Sequence, residues 1–518
     1  MTQLPASPDL SHLKKQAKHL LRDALAGELT ALNRFVETLP MVRSMGLTAL
    51  GFRDLKLHDA QSVVAREYGF LSWTELKGYV EWKQTDKGEQ LKRWLDWAYQ
   101  GNKRERRLAV HMLREEPALF RGDPWLACAL GDATTIQATI AHDRDWVNQP
   151  GGPQGMPPLI AVTHSKLILE DSFEAGLLTC ARLLLEHRAN VDCTWINAEF
   201  PDSPLSALFG AAGHTHNVPM TKLLLNAGAN PNDNESLYHS VESPDPTCTH
   251  LLLAANARVV GTNAIGRVLD YDKLDLLQLL LKQGGDAREQ PWIHSAMTRG
   301  RSIEHIQALV NAGADVRGTD KHGVTVYALA QALGRIDVLE LLREAGIEEP
   351  LSEEEQFVAA CSRGDEEQAR AILSVTPDIF SRLSTRQLRA MADLAAIGNQ
   401  RAVHTMLEVG WPREVLSGWG ATALNLAVFQ GDSEMARLLL QSGADWRTLH
   451  SYGDNVIGTL SYASQAEDME GAAPRDYVGC AQVLVAFGVT LKDDDHSFSE
   501  EVTEYLDTLR LREAGNPH

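Results

Sequence analysis

The sequence predicts an all-α protein, a solenoid of stacked helix-turn-helix repeats with short finger loops and a helical N-terminal cap. Two features of the composition favour this fold class. The chain has 518 residues, roughly twice the length at which a single core stops growing, so it must divide into domains or extend as an array. Aromatic residues make up only 6% of a sequence rich in Leu and Ala, which suits helices that pack on helices.

A recurring phrase sets the length of the repeat. It consists of a Leu-rich triplet, two further residues and then Gly-Ala-Asp or a variant. Clear copies have their glycine at Gly228, Gly313, Gly346 and Gly443, and looser copies end at Arg188, Asn256, Gly284, Gly410 and Gly488. Gly313 and Gly346 are 33 residues apart, as are Gly410 and Gly443. We expect this residue to end the second helix of each pair, because glycine readily adopts the left-handed conformation that closes a helix.

Two further markers repeat with nearly the same period. One phrase opens the first helix of a pair, as in Gly323-Val-Thr-Val-Tyr-Ala-Leu-Ala, Gly420-Ala-Thr-Ala-Leu-Asn-Leu-Ala and Gly155-Met-Pro-Pro-Leu-Ile-Ala-Val. A glycine that ends this helix recurs at Gly300, Gly334, Gly364, Gly398 and Gly431. Because one helix pair cannot bury its apolar face alone, such repeats stack on their neighbours.

These motifs resemble the ankyrin family, whose repeat of about 33 residues runs as turn, helix, helix. The strings that begin at Thr325 and Thr422 are similar to the family's Thr-Pro-Leu-His-x-Ala box, with the histidine replaced. That histidine is retained only at His239 and His294. The resemblance spans roughly residues 120–490 and implies about eleven or twelve helix pairs that bind other proteins.

The ends of the chain lack the repeat, so the sequence predicts four segments. Residues 1–90 form a helical capping region, 91–122 a divergent helix pair, 123–490 the ankyrin array and 491–518 an acidic C-terminal cap and tail. In the first segment, apolar residues from Leu10 to Ala24 recur at helical spacing. Further helices are expected near residues 29–39 and 58–68, and Ser72 opens a fourth. Residues 59–73 resemble a segment that precedes ankyrin arrays in bacterial proteins. A cap over the first repeat and a separate partner-binding module are both open interpretations.

Charge and cysteine content narrow the choice of partner and compartment. The net charge of −20 disfavours nucleic acid and anionic membranes and leaves open a protein partner with a basic surface. No apolar stretch is long enough to span a membrane. Six cysteines in so long a chain are not a disulfide framework, so we expect a cytoplasmic protein. Cys180, Cys248 and Cys480 fall in one apolar column and should be core residues, whereas Cys193 should be exposed.

The motifs indicate no chemistry. The sequence contains no P-loop, nucleophile elbow or His-Glu-x-x-His zinc motif. Gly418, Gly420 and Ala423 match a dinucleotide fingerprint only weakly, because no strand precedes them. His214 and His216 are expected to act in capping or hydrogen bonding rather than as half of a metal site. We therefore predict no catalytic residue, cofactor or metal.

Specificity should lie in residues that vary between repeats, since the repeated positions are used in stacking. The candidate partner-binding residues lie in the finger loops: Trp195, Phe200, Arg317, Asp320, His322, Trp419, His450 and Tyr452. The alternative for each is packing against the neighbouring finger. Two insertions, near residues 164–178 and 465–480, could be binding elements or merely tolerated loops. The basic cluster of residues 103–107 could be a solvated face or a docking point for an acidic surface.

The most favoured function is a non-catalytic scaffold or adaptor that binds a partner protein. A dedicated inhibitor or immunity-type binder of one protein would use the same surface. An enzyme or effector with its activity in residues 1–90 is the third hypothesis, although no nucleophile–base pair or ligand set is evident there.

Overall fold

The computed structural model describes residues 4–39 except residue 6, residues 55–197, 201–465 and 475–491, and parts of 496–509. The protein is mostly helical. Contacts divide it into two compact units, one of residues 1–236 with 504–518 and the other of residues 237–503. Each unit is described by itself.

The first unit begins with helices that precede the repeats. These are α1 (Leu10–Leu25), α2 (Leu29–Thr38), α3 (Leu57–Glu67) and α4 (Trp73–Lys83). Helix pairs follow as α5 (Lys87–Tyr99) with α6 (Lys103–Glu115), α7 (Pro124–Leu130) with α8 (Ala133–His142), α9 (Pro158–Thr163) with α10 (Glu174–Glu186), and α11 (Ala207–Phe209) with α12 (Val218–Asn226). Short 3-10 turns lie at Pro117–Phe120, Arg144–Asn148 and Lys166–Leu169, and a π turn, Gly210–His214, extends α11.

The second unit continues the series of pairs from α13 (Glu235–Ser240), the helix in which the boundary falls. The pairs are α13 with α14 (Thr247–Ala254), α15 (Ala264–Asp270) with α16 (Leu274–Lys282), α17 (Trp292–Thr298) with α18 (Ile303–Asn311), α19 (Val326–Ala332) with α20 (Ile336–Glu344), and α21 (Glu353–Ser362) with α22 (Glu366–Val375). The short helices α23 (Ile379–Arg382) and α24 (Thr385–Leu388) precede α25 (Ala390–Ala396) with α26 (Gln400–Glu408), α27 (Ala423–Phe429) with α28 (Ser433–Gln441), and α29 (Val456–Gln465) with α30 (Tyr477–Ala486).

Like helices of neighbouring pairs pack on one another. Within the second unit, α25 contacts α27 and α27 contacts α29 through their first-helix faces, while the second helices α28 and α30 also pack together. The column predicted to face the stack is buried at every position that we compared, including Cys180, Cys248 and Cys480. The apolar core therefore runs from pair to pair, as stacking requires.

The two glycine columns are left-handed for different reasons. Gly228 and Gly443, which end second helices, have φ of 92° and 91°, and a Cβ added there would meet nothing within 4 Å. Gly334, which ends a first helix, has φ of 65°, and an added Cβ would lie 2.3 Å from the carbonyl oxygen of Ser362 in the next pair. The second column thus combines backbone conformation with close contact between repeats. Arg188 has φ of 68° in place of a glycine.

The start of each first helix is capped as the motif predicts. Thr422 accepts a hydrogen bond from the backbone N–H of Asn425, and the Asn425 side chain accepts one from the Thr422 hydroxyl at 2.7 Å. Asn425, which stands where the family box has histidine, also donates to the Thr459 hydroxyl of the next pair at 3.1 Å. His294 keeps the family residue, and its Nε2 donates to the carbonyl oxygen of Val324 at 2.7 Å. Both side chains join one repeat to the next.

The N-terminal segment folds as the predicted helices, and its basic cluster is not a fully solvated face. Leu13, Ala17, Leu20 and Ala24 of α1 are buried. On α6, the guanidinium of Arg106 is buried and donates to the carbonyl oxygen of Gly101, while Arg107 pairs with Glu75 at 3.1 Å. These two arginines instead dock within their own unit, partly on a carboxylate.

Three sequence predictions need correction or restriction. The fold is not purely helical, because the short strands β1 (Thr194–Trp195) and β2 (Leu205–Ser206) pair antiparallel in one finger. The first insertion is not a free loop, since Leu167 and Ile168 are buried. The second insertion falls largely on residues 466–474, outside the described residues. Cys193 is half-buried rather than exposed, and burial raises the pKa of its thiol to about 12.

Candidate functional site

The finger residues predicted from the first unit contribute little open surface. Trp195 is half-buried, and its indole Nε1 donates to the carbonyl oxygen of Gln154 in the preceding finger at 2.9 Å. Its ring also meets the buried His164 edge-on, with 6.3 Å between ring centroids. Trp195 therefore packs on the neighbouring finger. Phe200 lies outside the described residues.

The finger that follows Gly313 is held by one of its candidate residues. The Asp320 carboxylate accepts hydrogen bonds from the backbone N–H groups of His322 at 2.9 Å and Val324 at 3.0 Å. Burial alone would raise the pKa of Asp320, but these backbone hydrogen bonds and the charge of Arg386 outweigh it and lower that pKa. Asp320 therefore stabilises the turn, whereas Arg317 and His322 are exposed.

Trp419 lies in the finger between α26 and α27, and its side chain is open to solvent. The side chain is 72% exposed and has no hydrogen bond or ring contact with any residue that the structure describes. The backbone that carries it is ordered by Ser417, whose hydroxyl accepts from the N–H of Trp419 at 3.2 Å and of Ala421 at 3.4 Å. A backbone hydrogen bond from Ser417 to Ala421 closes the same turn at 2.8 Å.

The next finger presents Tyr452 beside Trp419. Tyr452 is 81% exposed, and its N–H donates to Nδ1 of His450, whose ring meets the tyrosine ring edge-on at 5.8 Å. The two fingers are joined by a hydrogen bond from the N–H of Ser451 to the carbonyl oxygen of Gly420 at 2.8 Å. Each exposed aromatic residue is thus the chain neighbour of a residue in this hydrogen bond.

Three further apolar side chains extend this region and were missed from the sequence. Leu449 is exposed, Tyr462 is 69% exposed, and the half-buried Phe429 stacks on Tyr462 with 6.4 Å between ring centroids and 11° between planes. Phe429 and Tyr462 are 33 residues apart, as are Trp419 and Tyr452. That shared spacing is the signal that could have found them. We call Trp419, Phe429, Leu449, Tyr452 and Tyr462 the aromatic surface.

A second cluster in the same unit is polar and saturates its own groups. Arg267 pairs with Glu242 at 2.5 Å and with Asp270 at 3.5 Å, and Asp270 pairs with Arg299 at 2.5 Å. These four residues, which we call the charge ladder, join three successive helix pairs. The Arg267 guanidinium also lies over the rings of Tyr238 at 5.3 Å and Tyr271 at 5.1 Å.

The electrostatics of the charge ladder agree with this pairing. Burial alone would raise the pKa of Glu242, but His239 and Arg267 outweigh it and lower that pKa. Burial likewise opposes the charge of Arg267, yet attraction to Glu242 raises the pKa of the guanidinium. Both groups therefore stay charged because each is the other's partner.

The titratable groups that could carry chemistry are buried and used in packing. His214 Nε2 lies 2.8 Å from the carbonyl oxygen of Tyr99, and burial lowers the pKa of His214 well below its usual value. Burial raises the pKa of Cys180, Cys361 and Cys480 to about 12, so these thiols are poor nucleophiles at neutral pH. Among the described residues, no group of three or more His, Cys, Asp and Glu side chains could hold a metal ion. None of the described helices is long and apolar enough to cross a membrane.

The described geometry thus defines a class of protein, one of repeated helix pairs whose fingers and first helices form surfaces. Comparison with protein families identifies the repeat. The ankyrin repeat model matches residues 419–449, which include Trp419 and the capped start of α27. These residues form an ankyrin repeat, and this chain is an ankyrin repeat protein.

Other comparisons add a similar fold and no curated relative. The crystal structure of the human ASB11 ankyrin repeat domain is similar to this chain, with 20% sequence identity over 44% of this chain and 98% of that one and a TM-score of 0.21. Comparison of the sequence with curated proteins gives no significant match.

Proposed function

We propose that this protein is a non-catalytic interaction protein that binds a protein partner through the finger loops and first helices of its ankyrin pairs. The observation that carries the proposal is the aromatic surface, where Trp419 and Tyr452 are exposed on neighbouring fingers. Tyr and Trp are enriched among the residues that dominate binding energy. Ankyrin repeats generally mediate interactions between proteins, and this surface lies in and next to the matched repeat.

Charge and thiol chemistry support the finer parts of the proposal. The net charge of −20 favours a partner with a basic surface and disfavours nucleic acid. Six cysteines that are all free thiols fit a reducing cytoplasmic compartment. Arg317, His322 and His450 extend the proposed contact area along the fingers, whereas Trp195 and Asp320 already have partners within the fold.

Affinity capture tests the proposal with the full chain as bait. We expect the wild-type protein to retain one or more proteins from a lysate of the source organism. A variant with Trp419→Ala and Tyr452→Ala should lose at least 90% of the recovered partner. The matched control is Phe487→Ala, which removes an exposed aromatic side chain of α30 outside the aromatic surface. Equal recovery by the double variant and the wild type would contradict the proposed surface.

A further inference from the structure

We infer that the aromatic surface binds an extended segment of a basic protein, one that places Arg or Lys side chains between apolar ones. This inference rests on the proposed function and names the chemistry of the partner. The guanidinium or ammonium groups would lie over the open faces of Trp419 and Tyr452. The apolar side chains between them would contact Leu449 and the Phe429–Tyr462 stack.

Exposed aromatic side chains are concentrated at this place. The described residues include four exposed large aromatics, and three of them, Trp419, Tyr452 and Tyr462, belong to the aromatic surface. The exposed Leu449 lies between them along the chain. Scattered apolar residues on a surface are ordinary, whereas a cluster of this kind marks an interaction site.

The side chains are carried on backbone that is already ordered. Ser417 and Gly420 fix the turn at Trp419, and His450 fixes the turn at Tyr452 through hydrogen bonds of its backbone and ring. The Glu414 carboxylate also accepts from the N–H of Asp445 at 2.9 Å and from the Thr448 hydroxyl at 2.8 Å, which ties one finger to the next. Binding to ordered loops loses less conformational entropy than binding to loops that must first fold.

Charge selects a cationic occupant over a neutral or acidic one. The carboxylates of Glu414, Asp445 and Asp454 lie in the same two fingers, and Asp454 is partly exposed and two residues from Tyr452. An aromatic ring carries negative potential on its face and attracts Arg or Lys within about 6 Å. The protein already uses this contact in the second finger, where Arg447 lies 4.3 Å from the centroid of the Trp446 ring.

A second copy of the chain fits the surface less well. Self-association would bring the carboxylates of Glu414, Asp445 and Asp454 towards their own copies, in a chain whose net charge is already −20. Like charges at an interface oppose association. A basic segment of another protein meets the same carboxylates with complementary charge.

Synthetic peptides provide a defined test with the full chain. One library of twelve-residue peptides has Arg at alternate positions and Leu, Pro or Ser between them, and a matched library has Glu in place of Arg. Both are immobilised as arrays and probed with labelled protein. We expect at least tenfold more binding to the Arg library than to the Glu library. Trp419→Ala and Tyr452→Ala should each reduce that binding at least fivefold, and Phe487→Ala should change it less than twofold.

Every other result overturns the inference. Equal binding to both libraries, binding that Trp419→Ala and Tyr452→Ala leave unchanged, or no binding would each reject a cationic segment. Sedimentation that shows a dimer lost in Trp419→Ala would assign the surface to a second copy. Lysate capture distinguishes the two proposals, because partner recovery that depends on Trp419 and Tyr452 without peptide binding retains the proposed function and rejects only this occupant.

Discussion

The charge ladder and the aromatic surface use equivalent positions of the repeat in opposite ways. Asp270 and Phe429 each lie two residues before a left-handed residue that ends a first helix, Asp272 with φ of 57° and Gly431 with φ of 68°. At the first position the side chain pairs with Arg267 and Arg299. At the second the ring stacks only on Tyr462, which is itself largely exposed.

The comparison teaches that a solvent-facing column is not by itself a binding column. In the charge ladder, Arg267 fills the space over Tyr238 and Tyr271 and neutralises Glu242. The aromatic surface has rings of the same kind but no guanidinium over them among the described residues. A saturated cluster stabilises the stack, whereas an unsaturated one has attraction left for a partner. Four substitutions test this distinction.

The largest expected effect is at the contact that joins the two aromatic fingers. Gly420→Ala should lower the free energy of unfolding by about 3 kcal/mol, because φ is 72° and the new Cβ would lie 2.0 Å from the Ser451 hydroxyl. Urea denaturation measures the loss. Gly443→Ala is the matched control with a similar φ and no neighbouring atom, and it should cost only about 1–2 kcal/mol. Equal losses would show that the finger contact contributes nothing.

Arg267→Met should break the charge ladder at its centre. We expect a loss of about 2 kcal/mol in the free energy of unfolding, since Glu242, 11% exposed in its side chain, would lose its ion pair. Arg447→Met is the matched control, because that arginine is 69% exposed and pairs with an exposed Asp445. The control should change stability by less than about 0.5 kcal/mol. A larger loss in Arg447→Met than in Arg267→Met would reverse the comparison.

The stabilisation from Glu242 should disappear in acid. The pKa of Glu242 is lower in the folded protein than in the unfolded chain, so its contribution is fully present above the unfolded pKa. It is lost as the pH falls through the folded pKa, because the unfolded state then binds the proton more readily. Wild type should therefore be more stable than Glu242→Gln at pH 7, and the gap should close towards pH 3. Denaturation at a series of pH values would refute this if the gap stayed constant.

The smallest effect is expected where the binding proposal is centred. Trp419→Ala and Tyr452→Ala should each change the free energy of unfolding by less than about 0.5 kcal/mol, because exposed side chains without partners contribute little to folding. Thermal denaturation provides the measurement. A loss above 2 kcal/mol in either variant would mean that the ring is part of the fold, and the aromatic surface would then resemble the charge ladder.

Much of the fold follows from the sequence because its determinants are local and periodic. The buried face of α1, the buried cysteine column at Cys180 and the left-handed glycines at Gly228 and Gly443 were all predicted and are found. Even Arg188 and Asn256, which replace glycine in this column, adopt φ of 68° and 67°. Spacing along the chain is sufficient for these features, since each repeat meets the next in the same way.

The candidate site depends on neighbours that spacing does not reveal. Trp195 and Trp419 both lie in finger loops, yet the first donates a hydrogen bond to Gln154 and the second is open. Arg107 lies in a sequence cluster that could have been solvated, but its partner Glu75 comes from an earlier helix. The sequence alone determined the repeat and which residues end its helices, because short-range backbone conformation and periodic burial decide both. Only the tertiary structure decided which side chains are already paired, because pairing depends on atoms that distant parts of the chain bring within contact distance.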